Sequence, residues 1–137
     1  TRREIRDSAF KLVFEQLLRD DDIQELYAIA EEIDEITVND EVKEIVEGTL
    51  AHAGELDEII AGYSKTRSLS RISKLNLAIL RIAIYESLYD DKTPINAAIS
   101  EAINLSMMYT YQEDTSFING VLGAFSKDVQ KKNEENA

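Results

Sequence analysis

The segment from Leu75 to Leu88 reads LNLAILRIAIYESL, and it decides the fold class because its apolar residues surround a helix axis on nearly every side. Just before it, Ser73 can cap the amino terminus of a helix. Pro94 follows after a polar break, and a proline does not fit in the interior of a helix. A helix that is apolar nearly all round belongs in the middle of a bundle, where other helices cover its faces. The stretch therefore predicts a buried central helix, running to about Tyr89, in an all-helical fold.

Apolar residues recur at helical spacing on both sides of this segment, so we expect a series of amphipathic helices. The predicted helices cover about residues 3–19, 23–33, 40–62, 95–105 and 115–130. Gly48 and Gly54 interrupt the third of these, which indicates close packing or a kink. No linker divides the chain. We therefore expect one helical domain over residues 1–130 and a polar, frayed tail over residues 131–137.

The composition narrows the class of protein further. The chain has 137 residues, no cysteine, and no apolar run near the ~20 residues that a membrane-spanning helix requires. Its opening residues, Thr1–Glu4, lack the apolar stretch of a signal peptide. We therefore expect a cytoplasmic protein with no membrane segment, no disulfide and no cysteine-ligated metal.

Reactive side chains are not grouped in this sequence in the way that catalysis requires. The single histidine, His52, lies inside a predicted helix, and neither a glycine-rich phosphate-binding motif nor a calcium-loop pattern occurs. Neighbouring acids such as Glu31 and Glu32 are typical of a solvated helix face. The sequence therefore predicts no catalytic residue, no metal site and no cofactor, in a protein that is not an enzyme.

Charge is segregated along the chain, whose formal net charge is −12. Fifteen acidic residues and the single base Lys43 lie between Asp20 and Glu58, whereas residues 64–85 include no acid. The bases of that acid-free stretch are Lys65, Arg67, Arg71, Lys74 and Arg81, and a second basic group of Arg2, Arg3 and Arg6 opens the chain. This pattern has two interpretations, a solvated face balanced across the fold or a local basic surface for a polyanion, and the solvated face is the more ordinary one.

Four segments resemble motifs of the NusB family in their order and spacing. They are the arginine-rich opening at residues 2–14, the central AILRIAIYE at 78–86, AISEAI at 98–103, and FINGVL at 117–122. The resemblance implies an all-α, NusB-like bundle of about seven helices, arranged as two packed three-helix subdomains. It also implies transcription antitermination, in which such proteins bind boxA-type single-stranded RNA together with the ribosomal protein NusE and keep RNA polymerase processive.

The resemblance, together with the clustering of charge, predicts two sets of site residues. The RNA-binding set is Arg2, Arg3, Arg6, Phe14, Lys65, Arg67, Arg71 and Lys74, and we expect its cations to form one basic surface. Phe14 stands where the family commonly has tyrosine, and it keeps a ring face on which a base can stack. The NusE-contacting set is Glu86 and Tyr85, with Glu86 expected to be exposed. For Glu86 the alternative is a role in capping the exposed side of a buried helix.

Two questions stay open at the level of the sequence. One is whether the chain is instead a protein-only helical adapter, which has lost RNA binding and holds a basic partner on its acidic half. That adapter would keep Arg2, Arg3 and Arg6 apart from the second basic group at residues 65–74. The other question is the oligomeric state, because family members occur as monomers and as dimers.

Overall fold

Residues 1–136, which the computed structural model describes, form seven α-helices and contain no β-strand. The helices are α1 Arg2–Arg19, α2 Ile23–Ala30, α3 Asp40–Ala51, α4 Ala53–Tyr63, α5 Lys74–Tyr89, α6 Ile95–Tyr109 and α7 Gln112–Glu135. One 3₁₀ turn, Leu69–Arg71, lies between α4 and α5. The prediction of an all-α bundle of about seven helices is confirmed.

Helix α5 is the central helix of the bundle, as its apolar sequence predicts. The Ser73 hydroxyl accepts a hydrogen bond from the backbone N–H of Asn76 and so begins the helix. Helices α1, α3, α4, α6 and α7 all pack against it. Ile79 and Ile82 are buried, as expected for a helix covered from several sides.

The bundle has two halves that share α5 as their common support. Helix α1 packs on α2 and α3, and helix α6 packs between α5 and α7, whereas α4 contacts α5 and α7 and connects the halves. Thr1 and Glu4 form a capping box that starts α1, and Asp20 ends it in the left-handed region with φ of 54°. Because α1 starts beside the carboxyl-terminal end of α5, the opening arginines reach the residues that follow the central helix.

Several helix boundaries differ from the predicted ones. Helix α6 continues to Tyr109, four residues beyond its predicted end, and α7 begins at Gln112, three residues early. The predicted 40–62 helix is divided at His52, and Gly48 lies so close to the Tyr85 ring that a Cβ atom there would overlap it. Helix α2 ends at Ala30, three residues early. Helix α7 continues to Glu135, so the expectation of fraying from residue 131 onward is wrong as far as residue 135. Ala137, the last residue of the predicted tail, lies outside the described residues.

Candidate nucleic-acid interface

The amino-terminal arginines lie in the first two turns of α1, and each of them faces a carboxylate. Arg2 Nη2 is 2.7 Å from Asp90 Oδ2, and its Nη1 is 3.5 Å from Glu41 Oε2. Arg3 donates through Nε and Nη2 to the carboxylate of Glu101, at 3.3 and 3.1 Å. The capping box of Thr1 and Glu4 sets this geometry, since it fixes where α1 begins.

Ion pairing also shifts the acidity of the partner carboxyl groups. The hydrogen bond from Arg3 holds the pKa of Glu101 below its ordinary value. Burial acts to raise the pKa of Asp90, but hydrogen bonds from the Thr93 hydroxyl, the Lys92 backbone and Arg2 outweigh it, and that pKa lies below the ordinary range. Both carboxylates are therefore ionised at neutral pH, and they offset the positive charge of the arginines beside them.

Arg6 and Glu86 form a buried ion pair between α1 and α5. The Nε of Arg6 donates to both carboxylate oxygens of Glu86 at 2.9 and 3.0 Å, while its Nη2 lies 3.3 Å from the Thr93 hydroxyl. The Glu86 side chain is 1% exposed and that of Arg6 is 9% exposed. The expectation that Glu86 is exposed is therefore wrong, because a carboxylate at this depth requires a paired cation, and Arg6 supplies it.

The second basic group occupies the connection between α4 and α5. The hydroxyl of Ser64 bonds the carbonyl of Arg67, the 3₁₀ turn follows, and the Ser73 cap closes the segment. Lys65, Arg71 and Lys74 are exposed there, and none of the three forms an ion pair within residues 1–136. Unlike the amino-terminal arginines, these cations are not paired with a carboxylate of residues 1–136.

Arg67 attaches this segment to the start of α7. Its Nη1 lies 3.3 Å from Asp114 Oδ1, and its guanidinium stands 4.3 Å from the centroid of the Phe117 ring. Asn76 donates to the same Asp114 oxygen at 2.8 Å. The Asn76 bond, followed by that from Arg67, lowers the pKa of Asp114 below its ordinary value. Arg67 thus acts as an anchor of the basic segment, with its side chain 29% exposed.

The two basic groups lie toward opposite ends of α5. Arg6 pairs with residue 86 near the end of α5, whereas Lys74 is the first residue of that helix. Twelve helical residues separate positions 74 and 86, which corresponds to about 18 Å along the axis. A single basic surface formed by both groups stays a prediction, although the antiparallel packing of α1 on α5 directs the opening arginines toward the end of α5 that is opposite Lys74.

Phe14 lies apart from both basic groups. Its ring stacks on that of Phe10, with centroids 6.1 Å apart and planes 9° apart, and it lines an apolar groove between α1 and α2. The side chain is half-buried. A stacking role for Phe14 toward a base stays a prediction.

Tyr85 belongs to a cluster of aromatic and acidic side chains on the surface of α5 and α4. Its ring centroid is 5.5 Å from that of Tyr89, and the Tyr89 ring stacks on His52 at 4.2 Å. The Tyr89 hydroxyl donates to Glu55 at 2.6 and 2.8 Å. Burial, followed by the nearby charge of Glu44, raises the pKa of Tyr85. We define Tyr85, Tyr89, His52 and Glu55 as the aromatic patch.

Comparison with protein-family models matches residues 3–127 to the NusB family. The chain belongs to the NusB family. It is 39% identical to the transcription antitermination protein NusB of Acetivibrio thermocellus, over 92% of this chain and 88% of that protein. It is 33% identical to the protein of the same name from Bacillus subtilis, over 95% of this chain and 98% of the relative. The predicted family is confirmed, and with it the expectation that the chain is not an enzyme.

Solved structures show the same fold. One chain in the structure of antitermination factors NusB and NusE in complex with dsRNA matches this chain with a TM-score of 0.81 and 25% sequence identity. The match covers 93% of this chain and 96% of that one. NusB of T. maritima has a TM-score of 0.77 and 32% identity, covering 93% of this chain and 91% of that one. The fold of this chain is thus the fold of NusB structures.

Sequence reasoning missed two features of this NusB-family chain. Arg81 is a member of the acid-free basic stretch, yet it is buried and forms a two-pronged pair with Asp57, at 2.8 and 2.7 Å. Its position between Leu80 and Ile82 in an apolar helix is the signal that could have revealed a paired, buried cation. The other missed feature is the aromatic patch beyond Tyr85, because only the packing of α4 on α5 brings its members together.

Two further findings concern residues 1–136. No helix there combines the length and the apolar character needed to cross a membrane. No group of three or more His, Asp or Glu residues in that part of the chain is positioned to hold a metal ion.

Proposed function

We propose that this chain is a transcription antitermination factor that binds boxA-type single-stranded RNA together with NusE. Two kinds of evidence support the proposal, namely the names of the relatives and the likeness to a NusB that was solved with NusE and RNA. Such a factor works on nascent RNA. The proposal therefore implies action in the bacterial cytoplasm, within an RNA polymerase antitermination complex.

One observation carries the RNA part of the proposal: three exposed cations stand together without carboxylate partners in a chain of net charge −12. Lys65, Arg71 and Lys74 are these cations. Phosphate contacts dominate the affinity of most protein–nucleic acid complexes, and they require cations that no internal carboxylate already neutralises. We propose that these three side chains contact the RNA backbone and that Arg67 holds their segment against α7.

The amino-terminal arginines contribute to a lesser degree in this proposal. Arg3 is 70% exposed and Arg2 is 40% exposed, so both retain N–H groups that face solvent. Arg6 has little exposed surface, and its pairing with Glu86 supports a structural role. We therefore propose Arg2 and Arg3 as secondary phosphate contacts and Arg6 as the residue that holds α1 on α5.

We propose the aromatic patch as the NusE-contacting surface. Tyr85, from the predicted set, is part of this patch. Tyr89 of the patch is 43% exposed, and Leu88, which precedes it in the chain, is 40% exposed. Aromatic residues are enriched where proteins bind each other, and the Glu55 carboxylate is complementary to a basic partner. Glu86 takes part only indirectly, through its ion pair with Arg6.

Titration of boxA-like RNA, with and without NusE, tests the proposal. A triple variant, Lys65→Ala with Arg71→Ala and Lys74→Ala, should bind the NusE–RNA pair more weakly. Each lost phosphate contact should flatten the plot of log K against log salt by about 0.7, so three lost contacts should flatten it by about 2.

The matched control replaces three other exposed cations by alanine, namely the lysines at positions 127, 131 and 132 on α7. These lysines also lack ion pairs within residues 1–136. This control changes the net charge by the same amount, and its salt slope should match that of the parent. Equal slopes for both triple variants would show that the basic segment is not the RNA contact.

The protein-only adapter is the second candidate, and one observation favours it. Arg2, Arg3 and Arg6 face carboxylates and lie about 18 Å from the second basic group along α5, as that reading expects. Binding of NusE without any gain in affinity for boxA-like RNA would establish the adapter. A gain in RNA affinity on addition of NusE would exclude it.

A further inference from the structure

An apolar groove between α1 and α2 is separate from both surfaces described above. Its volume is about 390 Å³, and its walls include Phe14 from α1, Ile29 from α2, and Ile33 and Ile36 from the segment that follows. Ile29 is 47% exposed and Ile33 is 40% exposed. Large aliphatic side chains that share one concave surface mark a site for a partner rather than a solvated face.

The groove adjoins an acidic segment, because residues 20–36, which form one of its walls, have eight acids and no base. The lining of the groove itself has one acid, Glu15, and two cations. Its two cations are already neutralised, because Lys11 pairs with Asp7 at 2.9 Å and Arg19 pairs with Asp21 at 2.9 Å. Between residues 15 and 35, the acids without an ion pair in the described chain are Glu15, Asp20, Asp22, Glu25, Glu31, Glu32, Asp34 and Glu35. We define the acidic rim as Glu15 in the lining together with Glu25, Glu31 and Glu32 of the adjoining segment, none of which has an ion pair within residues 1–136.

This charge pattern indicates which kind of molecule the groove binds. RNA is disfavoured because the rim repels phosphate. A second copy of the chain is disfavoured as well, because a two-fold contact would bring the same acidic rims against each other. A cleft between two helices accommodates an amphipathic helix that inserts apolar residues spaced at i, i+3, i+4 and i+7.

We infer that this groove binds a basic amphipathic helix of a protein partner. The apolar side chains of that helix contact Ile29 and Ile33, and its Lys or Arg residues face the acidic rim. This surface would be a second protein interface beyond NusE, and none of the proposed phosphate contacts lines it. The inference does not depend on the proposed RNA contacts, since none of the exposed cations at residues 65–74 lines the groove.

The experiment uses the full chain and a fluorescent synthetic peptide of about 18 residues, with leucines at helical spacing and lysines elsewhere. One control peptide has glutamate in place of every lysine, and another has the same composition in a scrambled order without an apolar face. Anisotropy titrations should show that the lysine peptide binds at least tenfold more tightly than either control. Equal binding of the scrambled peptide would overturn the inference.

Matched variants of the chain locate the binding. Ile29→Ser and Ile33→Ser should each weaken binding about fivefold, because each side chain has about half of its surface left to bury. Met107→Ser is the control, since Met107 is 63% exposed on α6 and does not line the groove. Its affinity should match the parent's. Equal losses in all three variants would overturn the inference.

A second pair of variants tests the rim. Glu31→Gln with Glu32→Gln should weaken binding at low salt and flatten its salt dependence, whereas Glu134→Gln with Glu135→Gln at the end of α7 should do neither. Two results would assign the groove to another occupant and end the inference. One is displacement of the peptide by NusE. The other is sedimentation of the parent as a dimer that Ile29→Ser makes monomeric.

Discussion

The buried pair of Arg6 and Glu86 yields the sharpest prediction, which is that removing one partner costs more stability than removing both. The two side chains are 9% and 1% exposed, and they are joined at 2.9 and 3.0 Å. Loss of one partner from a buried ion pair typically costs about 3–5 kcal/mol, because the other charge stays buried without compensation. Replacement of both by apolar residues of similar volume is often close to neutral.

The structure sets the order of the variants. Glu86→Leu leaves the Arg6 guanidinium with only the Thr93 hydroxyl, at 3.3 Å, and should cost about 3–5 kcal/mol. Arg6→Met should cost toward the lower end of that range, because Arg2 Nη2 lies 3.6 Å from Glu86 and compensates in part. The double variant should be more stable than either single variant. Glu86→Lys should also unfold the protein readily, since it would oppose Arg6 and Arg2 with a like charge.

Urea unfolding followed by far-UV circular dichroism measures these differences. With a slope of about 1–3 kcal/mol per molar urea, a loss of 3 kcal/mol lowers the midpoint by roughly 1–3 M. The reasoning is refuted if each single variant loses less than about 1 kcal/mol, or if the double variant loses the sum of the two. Either result would mean that the pair is not a coupled, desolvated unit.

Three further predictions concern the core, the close contact of Gly48 with Tyr85, and the loss of stability at acid pH. Ile82→Ala should lower the free energy of unfolding by about 2–5 kcal/mol in the same urea assay, because the side chain is fully packed. Gly48→Ala should destabilise by about 1–3 kcal/mol through overlap with Tyr85, whereas Gly120→Ala, with open space at its Cβ, should stabilise α7 by up to about 1 kcal/mol. The pKa of Asp114 is lowered in the folded state, so its contribution is present above the unfolded-state pKa and is lost as pH falls through the folded value. Urea midpoints measured from pH 7 to pH 3 should fall less steeply in Asp114→Asn, and an unchanged acid limb would contradict this.

Helix order and the identity of the central helix followed from local information. The spacing of apolar residues, the cap at Ser73 and the break at Pro94 depend on neighbours a few positions away, and they predicted α5 and α6 to within a residue or two of their starts. The ends of α2 and α7 were harder to predict. Polar helix formers such as those at residues 131–135 favour a helix as readily as a frayed tail, so their sequence does not decide between the two.

The candidate site divides in the same way. Clustering in the sequence put Lys65, Arg71 and Lys74 into one predicted basic group with Arg67, and these three members are exposed on one short connection. It could not show that Arg6 is buried, since its partner Glu86 is 80 residues away. The identity of a charged residue does not reveal whether its side chain faces water or pairs with another charge.

The sequence by itself therefore determined the all-α class, the NusB-like order of helices, the buried central helix and the segregation of charge. Only the tertiary structure decided which charges are available to a partner. Packing α1 antiparallel on α5 brings three arginines against Glu86, Asp90 and Glu101, and it separates them from the second basic group. The physical reason is that helix formation depends on contacts within a few residues, whereas the pairing of charges depends on distances between helices, which only the folded chain sets.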